Sequence, residues 1–208
     1  MEQLDIFDEN MKPLGVMERN KVHETGAWHQ AFHCWILSGN SLLFQKRGRN
    51  KKIFPNRLDI SAAGHFSAGE KPEDAAREIE EEIGLKVKFA DLIHVGIMKY
   101  SKKFPDHFEQ EFRHIFFLKK DLPPEEYKLD LEEVEGLFEI NIADGIALFE
   151  NKAKNIKAKG IEWNSKANKW VPTERNMGKN DFCPSSDGYF LKIVQLAQRI
   201  RNGESVSI

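Results

Sequence analysis

The sequence predicts an α+β fold, a mixed β-sheet sandwich, and three observations carry that prediction. Short runs rich in β-branched and aromatic residues recur between Leu4 and Phe138. A single helical segment interrupts them, opened by Pro72 and closed by Gly84. Further helical patterns follow, over Ile142 to Asn151 and over Asp187 to Arg201.

Taken in order, Leu4 to Phe7, Asn10 to Lys12 and Leu14 to Met17 read as a short hairpin with a polar turn. Ala31 to Leu37 and Leu42 to Gln45 form a second hairpin, because Ser38-Gly39-Asn40-Ser41 has the residues that a tight turn requires. A basic loop from Lys46 to Lys52 leads through Pro55-Asn56 to a strand at Leu58 to Ile60. Val87 to Phe89, Ile93 to Tyr100, Phe112 to Leu118 and Val134 to Phe138 supply further strands. Lys152 to Asn180 is polar and basic and contains Trp163 and Trp170. In the terminal helix Phe190, Leu191, Val194, Leu196, Ala197 and Ile200 form an apolar stripe suited to burial.

Composition narrows the class. A chain of 208 residues, 40% hydrophobic, can bury a core as one large domain or as a domain with an appendage. The net charge of −2 gives no footprint for nucleic acid. Two cysteines, Cys34 and Cys183, make no disulfide scaffold and no zinc spacing. The first residues lack a basic region followed by an apolar run, and no segment approaches the length of a membrane span. The expected setting is therefore soluble, reducing and cytoplasmic, with no membrane partner; a homodimer is left open.

The central helix concentrates the chemistry. At 3.6 residues per turn Glu78, Glu81 and Glu82 project from one face, while Ala75, Ala76, Ile79 and Ile83 gather on a neighbouring face. Glu80 points to solvent. Pro72 suits a first turn, Glu73 and Asp74 suit the positive end of the helix dipole, and Gly84 suits the stop. Three adjacent carboxylates repel one another unless a cation neutralises them. All-oxygen ligands favour Mg²⁺ or Mn²⁺, which recruit phosphate oxygens to complete their shells.

The run Gly64 to Glu70, followed by Arg77-Glu78-Ile79-Glu80-Glu81-Glu82-Ile83-Gly84-Leu85, resembles the Nudix box, in which a glycine and a glutamate precede Arg-Glu-apolar-any-Glu-Glu-any-Gly-apolar. One departure stands out: six residues separate Glu70 from Arg77, where the family pattern has about seven. This shortening challenges the usual task of that glutamate, which is to orient the arginine. The resemblance covers residues 1–150 and implies a Nudix-type α/β/α sandwich with a C-terminal helical extension, residues 151–208, packed on the same domain.

Within that family the chain is similar to isopentenyl-diphosphate isomerase and its hydrolase relatives. His29-Gln30-Ala31-Phe32 with Trp35, Lys46-Arg47 through Phe54-Pro55, Ala63-Gly64-His65 and Glu109-Gln110-Glu111 carry the likeness. The isomerase holds a metal with three histidines and two glutamates, to which His23, His29, His65, Glu109 and Glu111 could correspond, with His23 one residue out of place. The isomerase also carries a cysteine just before the Gly-His pair, where this chain has Ala63. An alanine side chain cannot move the proton that double-bond migration requires.

The resemblance thus implies hydrolysis of an X-linked diphosphate, such as a nucleoside diphosphate derivative, by a metal-activated water. Glu78 and Glu82 are the expected direct ligands, with Glu81 sharing the cluster and the Ala63 carbonyl adding an oxygen. Glu111, then Glu81, are the candidates for the base, and Arg77 is expected to act beside them. Arg47 and Lys51 are expected to clamp the small-molecule diphosphate, together with His29 and His65. His33, His94, His107 and His114 carry no assigned role. Two alternatives stay open: an isopentenyl-diphosphate isomerase, and a catalytically silent domain that binds a nucleotide or partner.

Overall fold

The computed structural model describes residues 1–105, 107–185 and 188–208. Its first hairpin pairs β1 (Gln3–Phe7) with β2 (Pro13–Glu18), followed by a short helix α1 (Arg19–Thr25) that the sequence pattern had not announced. α1 buries only Val22 and ends on Gly26, whose left-handed φ of 72° suits glycine. A side chain there would also collide with the Phe108 ring, 2.1 Å from the position of an added Cβ.

The main sheet contains β3 (His29–Ser38), β4 (Ser41–Arg47), β5 (Leu58–Asp59), β6 (Ala62–His65), β7 (Ile93–Lys103), β8 (Phe108–Lys119), β9 (Val134–Asn141), β10 (Asn155–Asn164) and β11 (Lys169–Gly178). The strand order is β11-β10-β9-β4-β3-β8-β7, with β5 joined to β4 and β6 to β3. The mixed character comes from β3 and β8, which run parallel, while the other pairs are antiparallel. Helices cover both faces, giving the α/β/α sandwich. The box segment folds as α2 (Pro72–Ala75) and α3 (Arg77–Ile83), and the opposite face carries α4 (Ile142–Phe149) and α5 (Tyr189–Arg201).

Two apolar clusters follow from the period-two alternation of the strands. On β3, Phe32, Cys34 and Ile36 pack toward α3, against Ala75, Ile79 and Ile83. Trp35 and Leu37 pack toward α4 and α5, against Leu148, Phe190 and Val194. One expectation needs correction. Val87 to Phe89 is not a strand: Val87 and Phe89 pack on the α3 side, and the backbone closes local turns, with Asp91 N–H donating to Lys88 C=O at 2.9 Å. The polar stretch from residue 152 to 180, to which the sequence pattern assigns no element, folds as the hairpin β10–β11, and β10 extends the sheet beyond β9. Its signal was the alternation Ile156, Ala158, Gly160 inward with Lys157 and Lys159 outward. The terminal helix is described from Tyr189; Asp187 lies outside the described residues.

The topology opens a place for a site. β3 and β4 bond to each other only at Leu37↔Leu42 and Ser38↔Ser41, then diverge. β5 and β6 fill the split, and the Ser61 hydroxyl bridges it, donating to Leu43 C=O at 2.6 Å and accepting from Ile36 N–H at 2.9 Å. A cavity of about 1160 Å³ lies over this split.

Candidate active site

One wall of the cavity is the box helix. Ile79 and Ile83 are fully buried in the core, which forces Glu78 and Glu82 toward the cavity. Glu82 Oε2 accepts from the Ala63 amide at 2.9 Å and from Gln45 Nε2 at 3.2 Å. Burial pushes the Glu82 carboxyl up to about 8 and that of Glu78 to about 7, against an ordinary 4.5. Glu78 lies directly over Gly64: a Cβ added to Gly64 would fall 2.1 Å from Glu78 Cδ. A buried and a half-buried carboxyl that both resist ionisation, one held by directed bonds and the other over a glycine cradle, fit a hard divalent cation. Glu81 departs from the expected shared face, because its side chain is 59% exposed at the rim.

The shortened spacing does not separate Glu70 from Arg77. The guanidinium stands 3.4 Å from Glu70, 3.0 Å from Glu78 and 3.7 Å from Glu81. The helix is broken at Ala76, where Ile79 N–H bonds Ala76 C=O at 3.2 Å in a tightened turn. Glu70 is further fixed by accepting from Ser67 N–H at 2.7 Å.

A second cluster lies on the same cavity. His23, His29 and His65 come together from α1, β3 and β6, with one ring nitrogen of each lying within 4.8 Å of the others. His23 Nδ1 bonds Arg19 C=O at 2.9 Å and His29 Nδ1 bonds Ala27 C=O at 3.0 Å. A carbonyl only accepts, so both rings carry a proton on Nδ1, which leaves Nε2 as the atom each can offer to a cation. His29 Nε2 is buried with no hydrogen-bond partner. Burial lowers His23 and pushes His65 down to about 4, so neither ring resolves the crowding by protonation. Imidazoles facing one another beside a carboxylate fit a nitrogen-bound cation. That carboxylate is Glu111, whose Oε1 is 3.6 Å from His65 Nε2 and 3.9 Å from His29 Nε2. The parallel register His29↔Glu111 and the antiparallel register Ala31↔His65 bring these residues together.

Glu111 is poorly suited to be a base. Burial opposes its ionisation, yet Arg113, whose Nε donates to it at 2.7 Å, holds it well below the usual carboxylate range. Glu109, pushed up to about 7 by burial and by Glu111, is better poised to accept a proton. His107, to which the sequence assigned no role, stands 3.3 Å from Glu109, and His33 bonds Tyr189 at 2.7 Å; both line the cavity. Arg47 and Lys51 also line it, but with internal partners: Arg47 Nη1 donates to Asp59 at 2.9 Å, and Lys51 pairs with Glu133. Phe54 also reaches the cavity, while Trp35 and Phe66 are core. Sequence reasoning missed Arg113 and Tyr189. Arg113 was findable, since on a strand it shares a face with Glu111 two positions away.

Residues 27–163 match the NUDIX domain family, and the chain belongs to it. The family is that of the Nudix hydrolases. Over 197 residues the chain is 38% identical to an uncharacterised Nudix hydrolase of Clostridium acetobutylicum, covering 93% of this chain and 95% of that protein. It is 31% identical over 148 residues to isopentenyl-diphosphate Delta-isomerase 1 of Photorhabdus laumondii, covering 69% and 82%. A crystal structure from Deinococcus radiodurans shares the fold, with a TM-score of 0.55 at 20% identity, over 72% of this chain and 90% of that one. Among the described residues no helix is long and apolar enough to cross a membrane.

Proposed function

We propose that the protein is a Mg²⁺- or Mn²⁺-dependent diphosphohydrolase acting on an X-linked diphosphate, such as a nucleoside diphosphate derivative. The observation that carries this reading is the pair of carboxyls on the cavity wall, Glu78 half-buried and Glu82 buried, raised to about 7 and 8 beside Arg77. Glu78 and Glu82 would hold the cation, with Glu81 and the Ala63 carbonyl completing the protein's share. Once bound, that ion supplies a water ionised near neutral pH and positive charge for the departing phosphate.

The chain's own residues do the rest. Arg77 spans Glu70, Glu78 and Glu81, so it fixes the angle at which the acids face the substrate. Arg47, Lys51 and Lys52 place positive charge where a diphosphate enters, and a guanidinium can pair with two of its oxygens. Glu109 and the more exposed Glu81 are the groups placed to take a proton.

His23, His29, His65 and Glu111 would hold a second, nitrogen-bound cation. The orphaned His29 Nε2 supports this. Residues 151–208 work as one unit with residues 1–150, because β10 bonds β9 and Tyr189 and Phe190 of α5 line the cavity.

Isomerisation is disfavoured by Ala63, and a silent binding domain by the complete set of box acids. Incubation with Mg²⁺ or Mn²⁺ and a panel of nucleoside diphosphates, nucleotide sugars and prenyl diphosphates tests the reading. Release of phosphate or monophosphate is the expected result. Binding without turnover across the whole panel would overturn it.

A further inference from the structure

Glu111 presents its two carboxylate oxygens to different neighbours. Oε1 faces His29 and His65, and Oε2 accepts from Arg113 Nε at 2.7 Å. Arg113 also stands 3.9 Å from Glu109, two positions before Glu111 on the same face of β8. A carboxylate tied at one oxygen by a fixed donor has lost the freedom to rotate its other oxygen away from a metal.

The donor is itself immobilised. The Arg113 guanidinium lies 3.4 Å from the centre of the Tyr100 ring, on β7, and 5.4 Å from that of Tyr189, at the start of α5. Tyr100 is paired in register with Glu111, so the stack sits beside the carboxylate it serves. The Tyr189 hydroxyl accepts from Trp35 Nε1 at 3.0 Å and bonds His33 Nδ1 at 2.7 Å, which anchors the second ring to β3. A flat cation between two rings keeps its plane, and a lysine ammonium does not.

We infer that Arg113 is a positioning residue, clamped by Tyr100 and Tyr189, that aims Glu111 Oε1 at the histidine set and so sets that centre's affinity for a cation. Through Tyr189 the C-terminal helix becomes part of the centre's support, although α5 lies beyond the family-matched residues. The inference rests on the reading of His23, His29, His65 and Glu111 as a metal centre.

The test is Co²⁺ titration of the full-length, metal-depleted protein, followed by its visible absorption and by calorimetry, with Mg²⁺ titrated separately as a probe of the box. Wild type is expected to bind Co²⁺ with the absorption of a nitrogen-containing site. Arg113→Met should weaken that binding about 100-fold and Arg113→Lys about 10-fold, the range seen when the groups that orient metal ligands are lost, with Mg²⁺ affinity unchanged. Circular dichroism shows which variants are folded. Should Arg113→Met not fold, Arg113→Lys carries the decision. A folded variant with wild-type Co²⁺ affinity and spectrum would overturn the positioning role while leaving the metal centre standing. A wild type that binds no Co²⁺ through nitrogen would overturn the centre itself, and the positioning role with it.

Discussion

Replacing Glu82 with glutamine should stabilise the metal-free protein at alkaline pH while destroying the proposed metal site. Both hydrogen bonds at this side chain, from Ala63 N–H and Gln45 Nε2, end on Oε2. The amide oxygen of Glu82→Gln can take both, leaving its NH₂ toward the cavity. What changes is the cost of ionisation. A tenfold displacement of an ionisation constant is worth about 1.4 kcal/mol. Lifting Glu82 from 4.5 to about 8 therefore costs the metal-free native state about 4 to 5 kcal/mol once the carboxyl is charged. The sign follows from the proton count. Between pH 4.5 and about 8 the native carboxyl keeps a proton that the unfolded chain has released, so wild-type stability falls as pH rises through this window. The amide escapes that loss. Urea unfolding in EDTA should show Glu82→Gln and wild type nearly equal near pH 4, with the variant ahead by several kcal/mol near pH 9. Added Mg²⁺ should stabilise wild type alone, because only its native state binds the ion. A variant no more stable than wild type at pH 9 would refute the claim that the fold strains this carboxyl for the sake of a cation.

Other consequences can be checked in parallel. Because Glu78 and Glu82 titrate near 7 and 8 in the metal-free protein, Mg²⁺ affinity should rise with pH from 6 to about 9, with protons released on binding; calorimetry in buffers of different ionisation heat measures this, and a pH-independent affinity would contradict it. Glu82→Gln should cut hydrolysis of an accepted diphosphate by orders of magnitude, and near-normal turnover would remove Glu82 as a ligand. Gly64→Ala puts a methyl 2.1 Å from Glu78 Cδ, so the carboxylate must move; turnover should fall at least about 100-fold with an unchanged circular dichroism spectrum. Isopentenyl diphosphate incubated with the protein in D₂O should keep its carbon-bound hydrogens, since Ala63 has no proton to exchange, and deuterium incorporation seen by NMR would reinstate the isomerase alternative.

Much of this molecule was legible before any coordinates. The box segment's helical character, its buried stripe of Ala75, Ile79 and Ile83, its stop at Gly84, and the two early hairpins all follow from local spacing and turn residues, and the structure has them, with a break at Ala76 that the spacing did not mark. Local rules also misled. Val87 to Phe89 has strand-forming residues but no partner strand, and β10–β11 was hidden by its many lysines until the inward row of Ile156 and Ala158 found the core. Three glutamates at helical spacing looked equivalent, yet only packing could leave Glu81 exposed while burying Glu82.

By itself the sequence determined an acid cluster on a helix with a marked start and stop, because side-chain spacing within one helix is fixed by 3.6 residues per turn. Tertiary structure decided the rest of the site. His29 meets Glu111 through a parallel register between strands far apart in the chain, His23 joins them from a helix that no periodicity announced, and Arg113 is locked by a tyrosine from the last helix. No local pattern encodes such meetings, since they depend on which strands pair and in which register, and that is settled only when both apolar faces of the sheet are buried together.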